Sequence, residues 1–151
     1  MDQSGNEKTG LTGQSLLRNP RILVAPLDWG LGHATRCIPL IRALLSAGAE
    51  VWIAAEGMQE TLLKDEFPAL SFLPLKGYRV RYARSAAGLF ARMLFQAPLI
   101  LKAIRKEHEW LVEMAKENAF DAIISDNRYG LYHSDIPCIF MTHQLYIKSL
   151  S

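Results

Sequence analysis

Residues 21–36 read RILVAPLDWGLGHATR, and this stretch decides the fold. Its first seven residues form an apolar run after Arg21, as is typical of a parallel strand that is covered on both faces. Two glycines then leave the strand, and a histidine and an arginine follow in the expected first turn of a helix. Open α/β sheets bind their ligands at this kind of corner, just beyond the carboxyl end of a strand.

Further strand candidates recur along the chain, with helical segments between them. The five strands are predicted at residues 21–27, 50–56, 70–76, 121–127 and 137–143. Alternating strands and helices imply right-handed crossovers, and therefore an α/β fold with a Rossmann-like, doubly wound parallel sheet. The simplest strand order for such a chain is 3-2-1-4-5.

The helices between these strands have recognisable faces and ends. The first helix is expected to pack on the sheet through an apolar face made of Ile38, Ile41, Leu44 and Leu45. Gly48 is expected at its carboxyl-terminal cap. A shorter helix is predicted within residues 57–68. In the longest connection, residues 85–118, Pro98 either kinks one helix or begins a second.

The predicted strand order has a consequence for function. Strands one and four are neighbours whose following helices lie on opposite faces, so the crevice between their carboxyl ends is the switch point where ligands bind. DWGLGHATR, residues 28–36, leaves strand one, and SDNRYG, residues 125–130, leaves strand four. Two polar stretches about ninety residues apart are therefore expected to converge on one cleft.

His33 and Asp126 are the candidate catalytic pair of this cleft. The positive end of the helix disfavours an imidazolium, so His33 is expected to be neutral near pH 7, which is the state that a general base requires. If Asp126 reaches His33, its carboxylate would orient the ring, as the acid of a hydrolytic triad does. The alternatives are a helix cap or carbonyl contact for His33, and a turn cap for Asp126.

Other residues of the same edge are candidates for substrate contacts. Gly30 and Gly32 permit positive φ angles and a close backbone approach, and the free N–H groups of a helix start favour an anion. Arg36, one turn further, could add a positive charge. The remaining candidates are Asn127, Arg128, His143 and Gln144. Each of these four has a structural alternative as a turn residue or a strand end.

The two glycines also invite a dinucleotide-binding interpretation. Gly30-x-Gly32-x-x-Thr35 partly matches the G-x-G-x-x-G motif, and Glu56 ends the second strand where a ribose-binding acid would lie. Thr35 replaces the glycine that lets the helix approach the strand, and the motif has no role for His33. A dinucleotide-dependent oxidoreductase is therefore only the third hypothesis.

Length, composition and cysteine count limit the class of protein. The 151 residues are 50% hydrophobic and 21% charged, which predicts one soluble globular domain. No apolar run approaches the roughly 20 residues of a membrane span. Residues 1–20 are polar and lack the apolar core of a secretory signal, so a mobile tail is expected. Cys37 and Cys138 have no metal-ligand spacing, so they predict no metal site, and a chain without an export signal is expected to stay in the reducing cytoplasm. No cofactor is expected either.

A basic segment stands out against the net charge of +2. This basic segment runs from Phe67 to Lys106 and contains eight basic and no acidic residues: Lys76, Arg79, Arg81, Arg84, Arg92, Lys102, Arg105 and Lys106. A solvated face is the simplest explanation. The alternatives are an anionic membrane surface, at which the protein would be peripheral on the inner face, or an acidic acceptor. Nucleic acid is not expected as a partner, because no nucleic-acid-binding module accompanies the charges.

The stretch ILVAPLDWGLGHATRCIPLIRAL, residues 22–44, resembles the N-terminal domain of GT-B glycosyltransferases. It is most similar to the group of the N-acetylglucosaminyltransferase that forms peptidoglycan lipid II. The resemblance covers residues 20–145, and its most specific piece is the Gly-x-Gly-His corner, supported by ISDNRYG at residues 124–130. Trp29 and Leu31 interrupt the loop, which is richer in glycine in the lipid II enzyme.

The resemblance implies one half of a two-domain enzyme. In GT-B enzymes two Rossmann-like domains face each other, with the acceptor held by the N-terminal domain and the nucleotide-sugar by the C-terminal one. No metal is required, and in inverting members a histidine matching His33 is the proposed general base, with an aspartate matching Asp126 as its partner in related branches. Residues 21–151 would form the acceptor-side domain. The chain stops just beyond the fifth strand, so the donor-binding domain is expected to be absent from it.

Two function classes lead from these observations. The first is the acceptor-binding half of an inverting glycosyltransferase, which moves a sugar from a nucleotide-sugar donor to a hydroxyl of a sugar or a lipid-linked acceptor. The second is a noncatalytic α/β domain that binds a phosphorylated ligand at the corner of Gly30 and Gly32. In that second hypothesis, His33 is only a hydrogen-bond donor to the ligand.

Overall fold

The computed structural model describes residues 18–77 and 86–142, with side chains described from residue 98 onward in the second range. His143 and Gln144, two of the candidate contacts, lie outside the described residues, as do the arginines of the basic segment at positions 79, 81 and 84. The side chain of Arg92 is also outside the description.

The described chain alternates strands and helices. The strands are β1 (Arg21–Pro26), β2 (Glu50–Ala55), β3 (Ser71–Pro74), β4 (Ala122–Asp126) and β5 (Cys138–Met141). The helices are α1 (Leu31–Ser46), α2 (Gly57–Glu66) and α3 (Ala86–Asn118). All strand pairs are parallel, and the sheet order is β3-β2-β1-β4-β5. The predicted fold class and strand order are confirmed, with strands one to three residues shorter than the sequence pattern indicates.

Two hydrophobic layers cover the sheet, one on each face. Successive side chains of a strand point to opposite faces, so Leu23 and Val24 belong to different layers. The first layer packs α1 and α2 on the sheet and includes Val24, Ala34, Cys37, Ile41, Ile53 and Leu63. The second layer packs α3 and includes Leu23, Ala25, Leu111, Phe120, Ile123 and Leu131. Helices on both faces make the sheet doubly wound, and only the strand ends at the edges are left for ligands.

Helix α1 begins and ends at glycines with positive φ. Gly30 is the N-cap residue and has φ 84° and ψ 170°, a conformation that is essentially restricted to glycine. Gly48 follows the C-cap residue Ala47 and has φ 84°, as expected for a glycine that ends a helix. The buried face of α1 is Ala34, Cys37 and Ile41, at helical spacing.

Helix α3 is one continuous element. Pro98 lies inside its 33 residues, so the sequence alternative of a second helix beginning at Pro98 is wrong. A proline in a helix interior removes one intrahelical hydrogen bond, and a helix of this length has many others that hold it. The helix ends at Asn118, and Ala119 then takes φ 45°, which turns the chain into β4.

The residues before β1 are attached to the amino-terminal edge of the sheet. Arg18 donates to Asp121 across 2.7 Å, and the carbonyl of Pro20 accepts a hydrogen bond from the Glu50 amide. Asp121 also accepts from the Arg21 amide at 2.7 Å. Residues 18–20, the end of the predicted mobile tail, are therefore tied to the domain, and the polar groups of this edge join strands to one another.

Cys37 gives a test of how tightly this layer is packed. Its side chain is fully buried, and burial together with the nearby Asp126 charge raises the pKa of the thiol to about 12. At pH 8 in native protein, a Cys138→Ser variant should therefore react with a thiol reagent about 10³-fold more slowly than an unfolded cysteine, because only the thiolate reacts. Stopped-flow labelling, with and without denaturant, measures both rates. Equal rates would contradict the burial of Cys37.

Candidate functional site

The predicted pair of His33 and Asp126 is brought together at the carboxyl edge of the sheet. Strands β1 and β4 are neighbours in register, so that Pro26 lies opposite Asp126 at their ends. The first turn of α1 then places His33 over the end of β4. The Nδ1 atom of His33 lies 2.9 Å from Oδ2 of Asp126, within hydrogen-bonding distance. The Asp126 side chain is completely buried, whereas 12% of the His33 side chain is exposed.

Arg36 is the second partner of the buried carboxylate. Its Nε donates to Oδ2 of Asp126 at 2.6 Å, and its Nη2 donates to Oδ1, so that the guanidinium and the carboxylate pair in a fork. The sequence predicts Arg36 as a charge for an anionic ligand, but the structure instead directs it toward Asp126. The sequence does indicate that Arg36 lies beside His33, because residues three apart share one face of a helix.

Because Arg36 lies beside His33, what the ring can do depends on which of its two nitrogens carries the proton. Nδ1 of His33 lies 2.8 Å from Nη2 of Arg36 as well as 2.9 Å from Asp126. A single ring nitrogen either donates or accepts. When Nδ1 carries the proton it donates to Asp126, and the other nitrogen, Nε2, has the lone pair of a base. When Nε2 carries the proton, Nδ1 accepts from Arg36 and the ring has no basic nitrogen left for a substrate.

Two charges of opposite sign act on this ring. The Asp126 carboxylate and the Arg36 guanidinium each lie less than 3 Å from Nδ1 of His33. Both also act on Cys37, one residue along α1, where the Asp126 charge raises the pKa of the thiol and the Arg36 charge lowers it. The site is therefore a compact cluster of a histidine, an aspartate and an arginine rather than an isolated pair.

The two glycines of the corner differ in their roles. Gly30 needs its φ of 84° to turn the chain from β1 into α1. Gly32 is helical, and a Cβ added there would meet no atom within 4 Å. Its missing side chain leaves open space over the first turn of the helix. α1 also begins without a side-chain cap and without an acidic residue in its first turn.

Asn127 and Arg128, the candidates that follow β4, are both buried. Asn127 takes a φ of 54°, and its amide donates to the carbonyl of Met141 at 3.0 Å. Arg128 is among the largest fully buried side chains, and its Nε donates to the carbonyl of Pro26 at 2.7 Å. The structure therefore does not bring Arg128 to the surface of the crevice, and its guanidinium bonds to groups inside the protein instead.

Glu107 is the buried partner of Arg128 and was not predicted from the sequence. Its Oε1 accepts from Nη1 of Arg128 at 2.8 Å, and its Oε2 accepts from the Gly130 amide at 2.8 Å. Gly130 lies so close that a Cβ there would be 2.4 Å from the backbone oxygen of Ile104. The sequence contains one indication that Glu107 lies on the packed face of α3, because it stands at helical spacing between Ile104 and the buried Leu111. This pair ties α3 to the loop after β4.

A cavity of about 320 Å³ lies beside the corner, where β1 and β2 end. It is lined by Asp28, Gly30, Leu31, Glu56, Gly57, Met58 and Gln59. Glu56 is the residue that the sequence suggests as a ribose-binding acid, and its Oε1 accepts from the Gly77 amide at 2.7 Å. The lining therefore includes two acidic residues and one glutamine, beside the helix start at which the sequence predicts an anion.

A second cavity, of about 470 Å³, lies between the end of β3 and α3. Its lining combines two cations of the basic segment, Lys76 and Lys106, with apolar surface from Leu75, Ala103 and Trp110. Glu107 also reaches this lining and links the cavity to the buried pair with Arg128. Among the residues whose side chains are described, no group of three His, Cys, Asp or Glu is arranged to hold a metal ion.

Comparison with known proteins gives matches only at the level of structure. No family model and no curated protein matches the chain. SsfS6, a glycosyltransferase from Streptomyces sp. SF2575, is 23% identical with a TM-score of 0.50, and the match covers 75% of this chain and 34% of that one. MurG from Acinetobacter baumannii is 18% identical with a TM-score of 0.50, covering 81% and 34%. UGT89C1 from Arabidopsis thaliana, solved with UDP-L-rhamnose, is 19% identical with a TM-score of 0.52, covering 74% and 31%.

These similarities concern the fold. The sequence identities lie below 25%, and the chain spans about a third of the length of the solved glycosyltransferases that it matches. The resemblance to GT-B glycosyltransferases that residues 22–44 indicate is confirmed at this level, since the matched proteins include MurG. The chain therefore has the Rossmann-like α/β fold that is found in glycosyltransferases of the GT-B class.

Proposed function

We propose that this chain forms the acceptor-side half of an inverting glycosyltransferase, with His33 as the general base. The observation that carries the proposal is the 2.9 Å contact between His33 and the fully buried Asp126 at the carboxyl edge of β1 and β4. A partly exposed histidine whose other ring position is held by a buried carboxylate is the arrangement of an oriented general base. The fold supports the same class, because structures that share it are glycosyltransferases.

In the proposed reaction, Nε2 of His33 accepts the proton of an acceptor hydroxyl. The acceptor oxygen then forms a bond to the anomeric carbon of the donor sugar, on the face opposite the nucleotide. The bond from that carbon to the nucleotide breaks, and its electron pair leaves with the terminal phosphate oxygen. The new positive charge on His33 lies beside Asp126, which stabilises it. No metal is needed for these steps.

Arg36 competes with His33 for the carboxylate of Asp126. The guanidinium already pairs with both carboxylate oxygens, so the resting site is close to neutral while the ring is neutral. A neutral ring suits the start of the reaction, because a protonated ring cannot accept the hydroxyl proton. Arg36 therefore acts through His33 and Asp126, as a positioning residue.

The donor would be a nucleotide-sugar held outside this chain. Two fold relatives were solved with such molecules: UGT89C1 with UDP-L-rhamnose, and Phytolacca americana UGT2 with UDP-2fluoro-glucose. Each is between three and four times as long as the part that matches this chain, since the matches cover 31% and 27% of those chains. We therefore assign the donor to a part of the complete enzyme beyond the residues described, and the acceptor to the carboxyl edge of this sheet.

The alternative of a noncatalytic domain that binds a phosphorylated ligand has one observation in its favour. The N-terminus of α1 has no side-chain cap and no acidic residue in its first turn, which favours an anion. Against it, Arg36 is paired with Asp126, and Asp28 and Glu56 line the cavity next to Gly30. The cation that the sequence offers to such a ligand is therefore already held by a carboxylate.

Peripheral membrane binding through the basic segment is a further part of the proposal. Four of its cations are exposed in the described residues: Lys76, Lys102, Arg105 and Lys106. Leu99 and Leu101, which precede three of them in α3, are also exposed. Cations beside exposed leucines suit an anionic membrane surface. Within the described part of the chain, no helix has the length and apolarity to cross a bilayer.

The general-base role predicts the kinetics of three variants of the complete enzyme. His33→Ala should lower kcat by about 10² to 10⁴, with donor affinity unchanged, because only proton removal is lost. Asp126→Asn should also be impaired, and the double variant should be little worse than the worse single one, because the residues act as a unit. The control is His133→Ala, which alters a histidine outside the site. Multiplicative losses, or a fully active His33→Ala enzyme, would refute the role.

The positioning role of Arg36 can be tested on this chain by nitrogen NMR of the imidazole of His33. In the wild type, Nδ1 should carry the proton of the neutral ring. In Arg36→Met the share of the form with the proton on Nδ1 should rise further, because the guanidinium that can donate to an unprotonated Nδ1 is lost while Asp126 remains as the acceptor. Arg42→Met is the matched control, since Arg42 lies on the same helix and pairs with Glu66 at the surface. A wild-type ring protonated at Nε2, or a fall in the share of the Nδ1-protonated form in Arg36→Met, would contradict the role.

The membrane part of the proposal predicts salt-sensitive binding to vesicles. The chain should sediment with vesicles that contain phosphatidylglycerol at low salt, and much less at physiological salt, where the Debye length is about 8 Å. Replacing Lys102, Arg105 and Lys106 by Gln should abolish the binding. Lys64→Gln, which removes a cation outside the segment, should not change it. Equal binding to phosphatidylcholine vesicles would show hydrophobic contact and contradict an electrostatic surface.

A further inference from the structure

We propose that Gln59 is a positioning residue for His33. Its side-chain amide fixes the corner between β1 and α1, and the corner in turn sets where the His33 ring lies relative to Asp126. Gln59 belongs to α2, so it acts on the corner from a different element and touches no reacting atom. The inference deepens the proposed function and rests on it, but the position of the ring can be measured without that function.

The amide nitrogen of Gln59 bridges the two ends of the corner. Its Nε2 donates to the carbonyl of Leu27, the first residue after β1, and to the carbonyl of Gly30, the N-cap residue of α1. Both partners are acceptors, so they identify which end of the amide is the nitrogen. Gln59 is only 4% exposed. One buried amide group therefore fixes the separation between the end of the strand and the start of the helix.

The sheet and the helix leave this corner without local support of the usual kinds. β1 pairs with β2 as far as Val24 and with β4 as far as Pro26, so the buried Leu27 lies beyond both ladders. α1 begins at Gly30 without a side-chain cap hydrogen bond. A buried carbonyl needs a donor, and the start of a helix is normally fixed by a cap. Gln59 supplies the donor from α2 and holds the helix start with the same group.

The amide oxygen of Gln59 argues against a role that only fills space. Oε1 is buried and has no hydrogen-bond partner within the part of the chain that the structure describes. Leaving a buried acceptor unpaired is costly, and an apolar side chain of the same length would avoid that cost. The two hydrogen bonds of the nitrogen are therefore the contribution that distinguishes Gln59 from an apolar residue at this position.

The position of the corner is transmitted directly to the proposed base. His33 lies in the first turn of α1, three residues after Gly30. Its Nδ1 is 2.9 Å from Asp126, so a shift of the helix start by about 1 Å would take this contact beyond hydrogen-bonding distance. Gln59 is itself anchored, because Leu63, one turn further along α2, is fully buried in the layer that packs both helices on the sheet.

The first test is the kinetics of Gln59 variants of the complete enzyme. Gln59→Met keeps the length of the side chain and removes both hydrogen bonds, and it should lower kcat by about 10- to 100-fold, because a misplacement of about 1 Å costs that much. KM for the donor should not change. Gln59→Glu also loses both donors and should lower kcat at least as far. Thr61→Val is the matched control, since it removes a hydrogen bond to the carbonyl of Gly57 on the exposed side of the same helix. It should leave kcat unchanged.

The second test is nitrogen NMR of the His33 ring in the isotope-labelled 151-residue chain. In Gln59→Met the share of the form with the proton on Nδ1 should fall, because the ring moves away from Asp126, the acceptor of that proton. Leu63→Val separates positioning from stability. It removes one methylene group from the core next to the corner, so it should lower the unfolding temperature and leave the ring unchanged.

The wild type gives a third measurement, which needs no variant to fold. Through-hydrogen-bond couplings should join Nε2 of Gln59 to the carbonyl carbons of Leu27 and Gly30. Absent couplings, an unchanged ring in Gln59→Met, or the same ring change in Leu63→Val would overturn the positioning role. Wild-type kcat in Gln59→Met beside an inactive His33→Ala enzyme would refute this inference alone. An active His33→Ala enzyme would refute the proposed function, and the NMR of the ring would still decide whether Gln59 positions His33.

Discussion

The parallel pairing of β1 with both of its neighbours is the constraint on which the rest of the structure depends. β1 pairs with β2 on one side and β4 on the other, in registers that align the strand ends. Because parallel strands must be joined by crossovers, the chain passes over one face between β1 and β2 and over the other before β4. The carboxyl ends therefore meet at one edge, although the residues there come from distant parts of the chain. The proposed catalytic site lies at that edge.

The buried carboxylate of Asp126 determines the chemistry at this edge. A fully buried charge is costly unless it is paired and hydrogen-bonded, and the chain supplies two partners from one helix turn. His33 and Arg36 both contact Oδ2 of Asp126, so each limits the hydrogen bonds that the other can make with it. The need to satisfy one buried charge thus links the stability of the α1 and β4 contact to the protonation of the proposed base.

Glu107 is a second buried carboxylate, and its role is structural, unlike the role proposed for Asp126. Glu107 uses both of its oxygens on protein donors, from Arg128 and Gly130, and joins α3 to the loop after β4. Its partner Arg128 is fully buried and reaches the carbonyl of Pro26 at the end of β1. This pair fixes the loop from the α3 side while Asp126 fixes it from the α1 side. A buried carboxylate with its hydrogen-bond partners therefore lies on each side of the crevice.

The sequence by itself determined the strands, their order and the meeting of His33 with Asp126. Apolar runs and glycine signals are local, and the handedness of crossovers converts a list of strands into a sheet order and a shared edge. The same reasoning placed Gly30 and Gly48 correctly at the ends of α1. Only the tertiary structure decided the partners of the charged side chains. Arg36 pairs with Asp126, Arg128 is buried with Glu107, and Asp28 and Glu56 both lie against Gly77. Ion pairs form between groups far apart in sequence, and burial selects among several possible partners at distances of a few ångström, which no local pattern encodes.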